Sequence, residues 1–123
     1  MSHDISLNCK CCGRPLEMAE SFTDGGNYNV YGTTECELNV TYNYGGLYKS
    51  VFPADGSWTN GPISWLYGKT GLETTPTLER GVVLLGVDKD EDYWKATEGN
   101  AGAALARLLS FAKAHPDGVW SGD

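Results

Sequence analysis

The predicted fold is decided by the stretch Glu35-Cys36-Glu37-Leu38-Asn39-Val40-Thr41-Tyr42-Asn43-Tyr44-Gly45-Gly46. Its apolar residues from Leu38 to Tyr42 alternate with polar ones, which is the period-two pattern of a half-buried strand. The alternation ends at Asn43, whose side-chain oxygen can cap a following helix. We therefore expect a strand whose apolar face packs on the core and whose other face carries a polar ladder of Asn39, Thr41 and Asn43.

The segments on either side of this strand complete the predicted fold. Residues 4–8 and 16–19 both alternate, and the tight turn between them predicts an N-terminal hairpin. Downstream, the sequence predicts one helix that starts at Thr75-Pro76 and a last helix from about Thr97 to Ala114. The fold class is thus α+β: a small antiparallel sheet, made of the N-terminal hairpin plus the central strand, is packed by three or four C-terminal helices.

The length of 123 residues predicts a single domain. Within it, we expect residues 1–42 to form the sheet and the metal-binding part, and residues 43–123 to form the helical part. The pair Gly45-Gly46 follows the central strand directly. Glycines in a helical pattern suggest close backbone packing, or a ligand that approaches the strand-to-helix turn.

Charge and hydropathy argue against two classes of function. The net charge of −7 opposes a nucleic-acid binder that works by neutralising phosphates. No apolar run approaches the ~20 residues of a membrane span. The first residues lack the basic and apolar regions of a secretory signal, so we expect a cytoplasmic location, where thiols stay reduced. The acidic balance favours a protein partner with a basic surface.

The cysteines predict a metal site. Cys9 and Cys12 have C-x-x-C spacing and are followed by Gly13, which lets backbone amides turn toward the sulfurs as in zinc-knuckle loops. A structural zinc needs four ligands, so Cys36 is the natural third and either Cys11 or His3 the fourth. These ligands favour zinc, and iron is the alternative metal. The alternatives are free thiols in a reducing cytosol, or a redox pair, which Pro15 and the hairpin pattern oppose.

Two further groups of residues are candidates for a partner-binding face. The ladder of Asn39, Thr41 and Asn43 is either a recognition face or the solvated face of an edge strand. The acidic run at Asp88, Asp90, Glu91 and Asp92 is either a partner contact or a solvated loop. We find no serine–histidine–acid pattern, no phosphate loop and no carboxylate pair in an apolar setting. The sequence therefore does not predict an enzyme.

Six strings distributed along the chain carry a family resemblance: 4–7, Gly25-Gly26-Asn27-Tyr28, 38–44, 67–73, 92–100 and 116–120. By these strings the chain resembles, over nearly its full length, a family of small, mostly uncharacterised bacterial and phage-borne proteins. Phage relatives combine a C-x-x-C-G turn with an Asn-x-Thr-x-Asn strand, which match Cys9, Cys12, Asn39, Thr41 and Asn43 here. Other members lack the cysteine turn, which implies that the metal is not essential to the fold.

Small acidic phage proteins of this kind are similar in type to anti-CRISPR inhibitors, some of which act on a type II RNA-guided nuclease. The resemblance therefore implies a zinc-stabilised protein that binds a host defence nuclease and blocks its loading with target DNA. The alternative is a small-ligand-binding or enzymatic module that uses the Asn39, Thr41 and Asn43 face. Neither the partner nor the oligomeric state follows from the sequence.

Overall fold

The computed structural model describes residues 2–23 and 31–123 and confirms the predicted α+β class. The string Gly25-Gly26-Asn27-Tyr28, which contributes to the resemblance, lies outside these residues. The strands and helices are β1 (Ser2–Asn8), β2 (Glu17–Phe22), β3 (Thr33–Glu35), β4 (Glu37–Thr41), α1 (Gly45–Tyr48), α2 (Gly71–Leu85), α3 (Glu98–Ala114) and β5 (Val119–Ser121). Short 3₁₀ turns follow β4 at Tyr42–Tyr44 and precede α2 at Pro62–Leu66.

The larger sheet has three antiparallel strands in the order β4-β1-β5. Its central strand is β1, so the prediction that the stretch around β4 forms the central strand is wrong: among the described strands, β4 is an edge. The reason is the long-range pairing of β5, in which Trp120 lies opposite Leu7. Sequence analysis did not predict β5, because a three-residue strand carries almost no pattern of its own. The sheet is therefore not confined to residues 1–42.

The predicted N-terminal hairpin forms only beside its turn. Leu16 N donates to Leu7 O, and Asn8 forms an isolated bridge with Pro15. Leu7 N instead donates to Cys36 O, since the chain of β4 takes that edge of β1. β2 turns away and pairs with β3 in a second, two-stranded sheet.

Capping side chains set the starts of the two long helices. Thr70 and Glu73 form a reciprocal capping box, so α2 begins at Gly71, and the predicted start at Thr75-Pro76 is wrong. α3 agrees with prediction, with Thr97 as its N-cap. The two helices pack closely on one another, and α3 also contacts β4. None of the helices in the described ranges is long and apolar enough to cross a membrane.

The apolar face of β4 is buried as predicted at two of its three positions. Leu38 and Val40 belong to the core, whereas Tyr42 is 37% exposed because the chain turns there into the 3₁₀ turn. Behind that turn, a Cβ atom at Gly45 or Gly46 would meet nothing within 4 Å. Close backbone packing therefore does not account for this glycine pair.

Candidate functional site

The acidic run lies in a segment of defined shape, residues 88–95, which we call the acidic loop. Its backbone is bound by Asn100, a side chain on α3 that is only 3% exposed. Asn100 Oδ1 accepts from Asp90 N, and Nδ2 donates to Asp92 O and to Lys95 O, each at 2.9 Å. One buried amide thus satisfies three backbone groups of the loop.

The carboxylates of the acidic loop fall into two groups. Asp90 Oδ1 accepts from Asp92 N, and Asp90 Oδ2 forms an ion pair with Lys95 Nζ at 3.7 Å. Asp92 Oδ1 accepts from Trp94 N, so both of these side chains help to shape the loop. The carboxylates of Asp88 and Glu91 are exposed and have no hydrogen bond or ion pair with the rest of the described chain. They are the charges best placed to meet a partner.

The polar ladder of β4 supports this loop. Tyr93 Oη donates to Asn39 O at 2.6 Å, and Asn43 Nδ2 donates to Trp94 O at 2.8 Å. Tyr44 Oη donates to Tyr93 O. The two predicted partner-binding groups are therefore neighbouring parts of one structural unit, which the sequence did not indicate.

Most of the ladder is buried. Asn39 is 4% and Thr41 2% exposed, and of the three ladder residues only Asn43 is exposed. Asn39 Nδ2 donates to Ser2 Oγ and to Asp4 Oδ1, both at 2.7 Å. Thr41 Oγ1 accepts from Asn43 N, so Thr41, and not Asn43 as predicted, caps the turn that follows. The amide and hydroxyl groups of Asn39 and Thr41 are used inside the molecule.

Apolar side chains are exposed on both sides of the acidic residues. Val83 and Leu84 at the end of α2 are 85% and 54% exposed, and Val87 and Trp94 are each 49% exposed. Large apolar side chains that are exposed next to charged groups are typical of protein-binding surfaces. We call Val83, Leu84, Val87 and Trp94 the apolar flank of the acidic loop.

The cysteine turn has the geometry of a thiolate-presenting loop. Cys9 N donates to Arg14 O and Gly13 N donates to Cys9 O, each at 2.8 Å, and Gly13 has a φ of 74°. The pKa of Cys9 is lowered, mainly because the backbone amides of Cys12 and then Cys11 donate to its sulfur.

Of the other two predicted ligands, Cys36 is hydrogen-bonded through its backbone to Leu7 and Leu16, which flank this turn, and His3 lies farther back in β1. Cys36 is 0% exposed in the core, and burial raises the pKa of its thiol to about 12. His3 is six residues before Cys9 along β1, a separation of about 20 Å at ~3.3 Å per residue. Its proposed role as the fourth ligand beside Cys9 is therefore wrong. Within residues 2–23 and 31–123, no three His, Cys, Asp or Glu side chains are gathered into an arrangement that could hold a metal ion.

His115, which the sequence analysis did not select as a site residue, lies beside the cysteine turn. It follows the last residue of α3 and lines a cavity of about 320 Å³ together with Cys9 and Cys11. Its Nε2–H donates to the carbonyl oxygen of Glu17 at 2.6 Å, which leaves Nδ1 with a lone pair. No local pattern predicts this neighbour, since more than a hundred residues separate the two segments.

A second pocket, of about 190 Å³, lies at the strand-to-helix turn after β4. Its lining includes His3, Thr41 and Asn60. His3 is buried, which lowers its pKa, and its Nδ1 lies 3.2 Å from Asp123 O. Nδ1 also lies 3.4 Å from Tyr67 Oη, whereas Nε2 has no hydrogen-bond partner among the described residues. Nε2 is therefore open to a hydrogen bond from a small ligand.

No protein-family model, no curated protein and no solved structure matches this chain. The resemblance to phage-borne proteins therefore stays a prediction.

Proposed function

We propose that this protein is a non-catalytic binding module that occupies a basic surface of a host defence nuclease through its acidic loop. The proposal rests on one observation: hydrogen bonds hold the backbone of the acidic loop in place, while some of its carboxylates are exposed. Asn100 binds three backbone groups of the loop, while the carboxylates of Asp88 and Glu91 stay exposed. A surface that is already ordered loses less conformational entropy on binding than a flexible acidic tail would.

The charge favours a partner that normally binds phosphates. With a net charge of −7, the protein is attracted to a positively charged channel such as the one that holds guide and target in an RNA-guided nuclease. Carboxylates of the loop would stand where target phosphates stand, and the apolar flank would supply the buried part of the interface. Binding there blocks the loading of target DNA without any chemical step.

The test is target cleavage by a purified type II RNA-guided nuclease with increasing amounts of this protein, beside a gel shift for DNA loading. We expect both to be inhibited, and the inhibition to weaken with added salt because exposed charges are screened. The variant Asp88→Asn/Glu91→Gln should weaken inhibition about tenfold or more. The matched control Glu20→Gln/Glu79→Gln changes net charge equally at exposed sites outside the loop and should weaken it less than about twofold.

Two outcomes would contradict the proposal. Full cleavage and normal DNA loading at a large molar excess of the protein would remove this nuclease as the partner. Equal loss of inhibition in the loop variant and in the control would show that net charge matters and the loop does not.

The His3 pocket favours a second candidate function, the binding of a small neutral ligand at the end of β4. Thr41, a residue of the predicted recognition face, lines this pocket together with His3. The test follows the imidazole nitrogens of His3 by NMR during titration with uracil, cytosine and nicotinamide, with His3→Gln as the control. A shift of Nε2 that saturates supports this function, and unchanged nitrogen signals with all three compounds argue against it.

A further inference from the structure

We propose that a groove between α3 and the start of the acidic loop binds a small amphipathic carboxylate, a molecule with one carboxylate and an apolar body. Lys89 and Arg107 bind the carboxylate, and alanines of α3 contact the apolar body. This site is separate from the His3 pocket, and the proposal is independent of nuclease binding.

The first step of the argument is the shape of the groove. Its volume of about 380 Å³ lies in the range of ~300–1,000 Å³ that is usual for small-ligand sites. The α3 residues that line it are spaced i, i+3, i+4 and i+7, so they lie on one face of the helix. Two of them, Ala103 and Ala106, are only partly buried and have side chains too short to fill the space. The groove is lined by Val87, Lys89, Ala103, Ala106, Arg107 and Ser110.

The second step is the local charge. Lys89 and Arg107 both line the groove, although the protein as a whole has a net charge of −7. Lys89 is exposed, and its ammonium group makes no ion pair or hydrogen bond with the described residues. The ion pair of this loop joins Asp90 to Lys95 instead. An anion in the groove therefore meets a lysine whose charge is not already neutralised by a contact.

The third step is the fixed position of Arg107. Its Cζ lies 4.6 Å from the centroid of the Phe22 ring. Phe22 is buried and contacts Phe111, with the two ring centroids 5.3 Å apart. Stacking on a buried ring restrains the guanidinium group, so less conformational entropy is lost when a ligand binds. The N–H donors lie in the guanidinium plane and match the two oxygens of a carboxylate.

The fourth step decides between classes of anion. The side chains of Val87, Ala103 and Ala106 are apolar, which favours a ligand with an apolar body over a bare inorganic ion. Asp88, which precedes Lys89, and the net charge of −7 both repel anions. This repulsion is stronger for a doubly charged phosphate than for a singly charged carboxylate.

The experiment titrates ¹⁵N-labelled protein with sodium phenylacetate and, separately, with phenylacetamide, which has a similar shape without the charge. We expect saturable shifts of the amide signals of residues 87–89 and 103–110 with phenylacetate. The dissociation constant should be at least tenfold higher for phenylacetamide, and inorganic phosphate should bind more weakly than phenylacetate.

Variants separate the charge from the shape. Lys89→Gln removes charge and Ala106→Leu fills the groove, so each should weaken phenylacetate binding at least fivefold. The matched control Lys113→Gln removes an exposed cation of α3 outside the groove and should change the affinity less than twofold. Because Lys89 is exposed, its variant tests the charge even if Ala106→Leu does not fold.

Three outcomes would contradict the proposal. Absence of a saturable shift at the groove with phenylacetate overturns it. Equal affinity for phenylacetamide, or tighter binding of phosphate, overturns the class of ligand. Equal losses of affinity in Lys89→Gln and Lys113→Gln overturn the site.

Discussion

The polar ladder of β4 and the acidic loop are both runs of polar residues, yet the structure treats them in opposite ways. Asn39 and Thr41 are buried, whereas Asp88 to Asp92 are exposed. An amide or hydroxyl can enter the core when its hydrogen bonds are satisfied there, but a carboxylate loses its hydration and needs a partner charge. The difference shows that neutral polar residues in an alternating pattern do not mark a solvent face, whereas a run of charges does.

The two regions also depend on each other, because Asn43 and Tyr44, in the 3₁₀ turn after β4, donate to backbone carbonyls of the acidic loop, and the Tyr93 hydroxyl donates to Asn39 O in β4. Variants that damage the support should therefore destabilise the fold, and variants of the displayed charges should not. The following predictions test this contrast, from the largest expected effect to the smallest.

The largest effect is expected where the chain enters the acidic loop. A Cβ atom at Gly102 would overlap the backbone oxygen of Gly86, just before the loop. Gly102→Ala should therefore lower the free energy of unfolding by about 4 kcal/mol or more, measured by urea denaturation. The control Gly46→Ala, in a helix with open space around it, should be neutral or stabilise by about 0.5–1 kcal/mol. Equal effects of the two changes would disprove the close approach.

Asn100→Ala should lower the free energy of unfolding by about 3 kcal/mol, since three hydrogen bonds are lost at roughly 1 kcal/mol each. Amide hydrogen exchange at Asp90 should become faster at the same time. The control is Asn43→Ala, which removes one exposed bond to Trp94 O and should cost less than about 1 kcal/mol. A loss below 1 kcal/mol for Asn100→Ala would mean that it does not hold the loop.

Asn39→Ala tests the buried ladder itself. The side chain donates to Ser2 Oγ and Asp4 Oδ1, and Asp4 stays exposed to water after the change. We therefore expect a loss of about 1–2 kcal/mol in the free energy of unfolding. A neutral result, within measurement error, would indicate a solvated face after all.

His3 in β1 lies opposite Val40 in β4 and makes the stability of this region depend on pH. Burial lowers the pKa of His3 in the folded state below the unfolded value of about 6.5. At pH values below about 6.5, the unfolded chain therefore binds more protons than the folded chain does. The contribution of His3 to the free energy of unfolding is complete above pH ~6.5 and is lost as the pH falls toward the folded pKa. The urea midpoint should fall more between pH 7.5 and pH 5 in the natural protein than in His3→Gln. Parallel decreases would contradict this.

The smallest effect is expected for the displayed charges. Asp88→Asn/Glu91→Gln should change the free energy of unfolding by less than about 0.5 kcal/mol, since neither carboxylate bonds to the described part of the chain. The same double variant is the one expected to lose inhibition of the nuclease. A large loss of stability would show that these carboxylates support the fold, and would remove the contrast with the ladder.

Several features of the protein follow from local sequence alone. The alternation from Leu38 to Val40 specifies a strand, and the apolar stripe with the cap at Thr97 specifies α3. The spacing from Cys9 to Gly13 specifies a tight turn, which Gly13 N closes by donating to Cys9 O. Each of these features depends on residues that are close together in the sequence, where backbone sterics and local hydrogen bonds act directly.

Asn100 shows where the sequence signal stops being sufficient. Its place in the helical stripe with Ala104 and Leu108 predicts that it faces inward, because i, i+4 and i+8 share one side of a helix. That pattern shows burial, but it does not show which backbone groups the amide will bind.

Only the tertiary structure decided the strand order, the burial of Asn39 and Thr41, and the place of His115 beside the cysteines. Each of these features joins segments far apart in the chain: β5 to β1, the ladder to the acidic loop, and the end of α3 to Glu17. Such contacts form when their packing and hydrogen bonds outweigh the entropy of closing a long loop. That balance depends on the whole folded chain, and no short stretch of sequence records it.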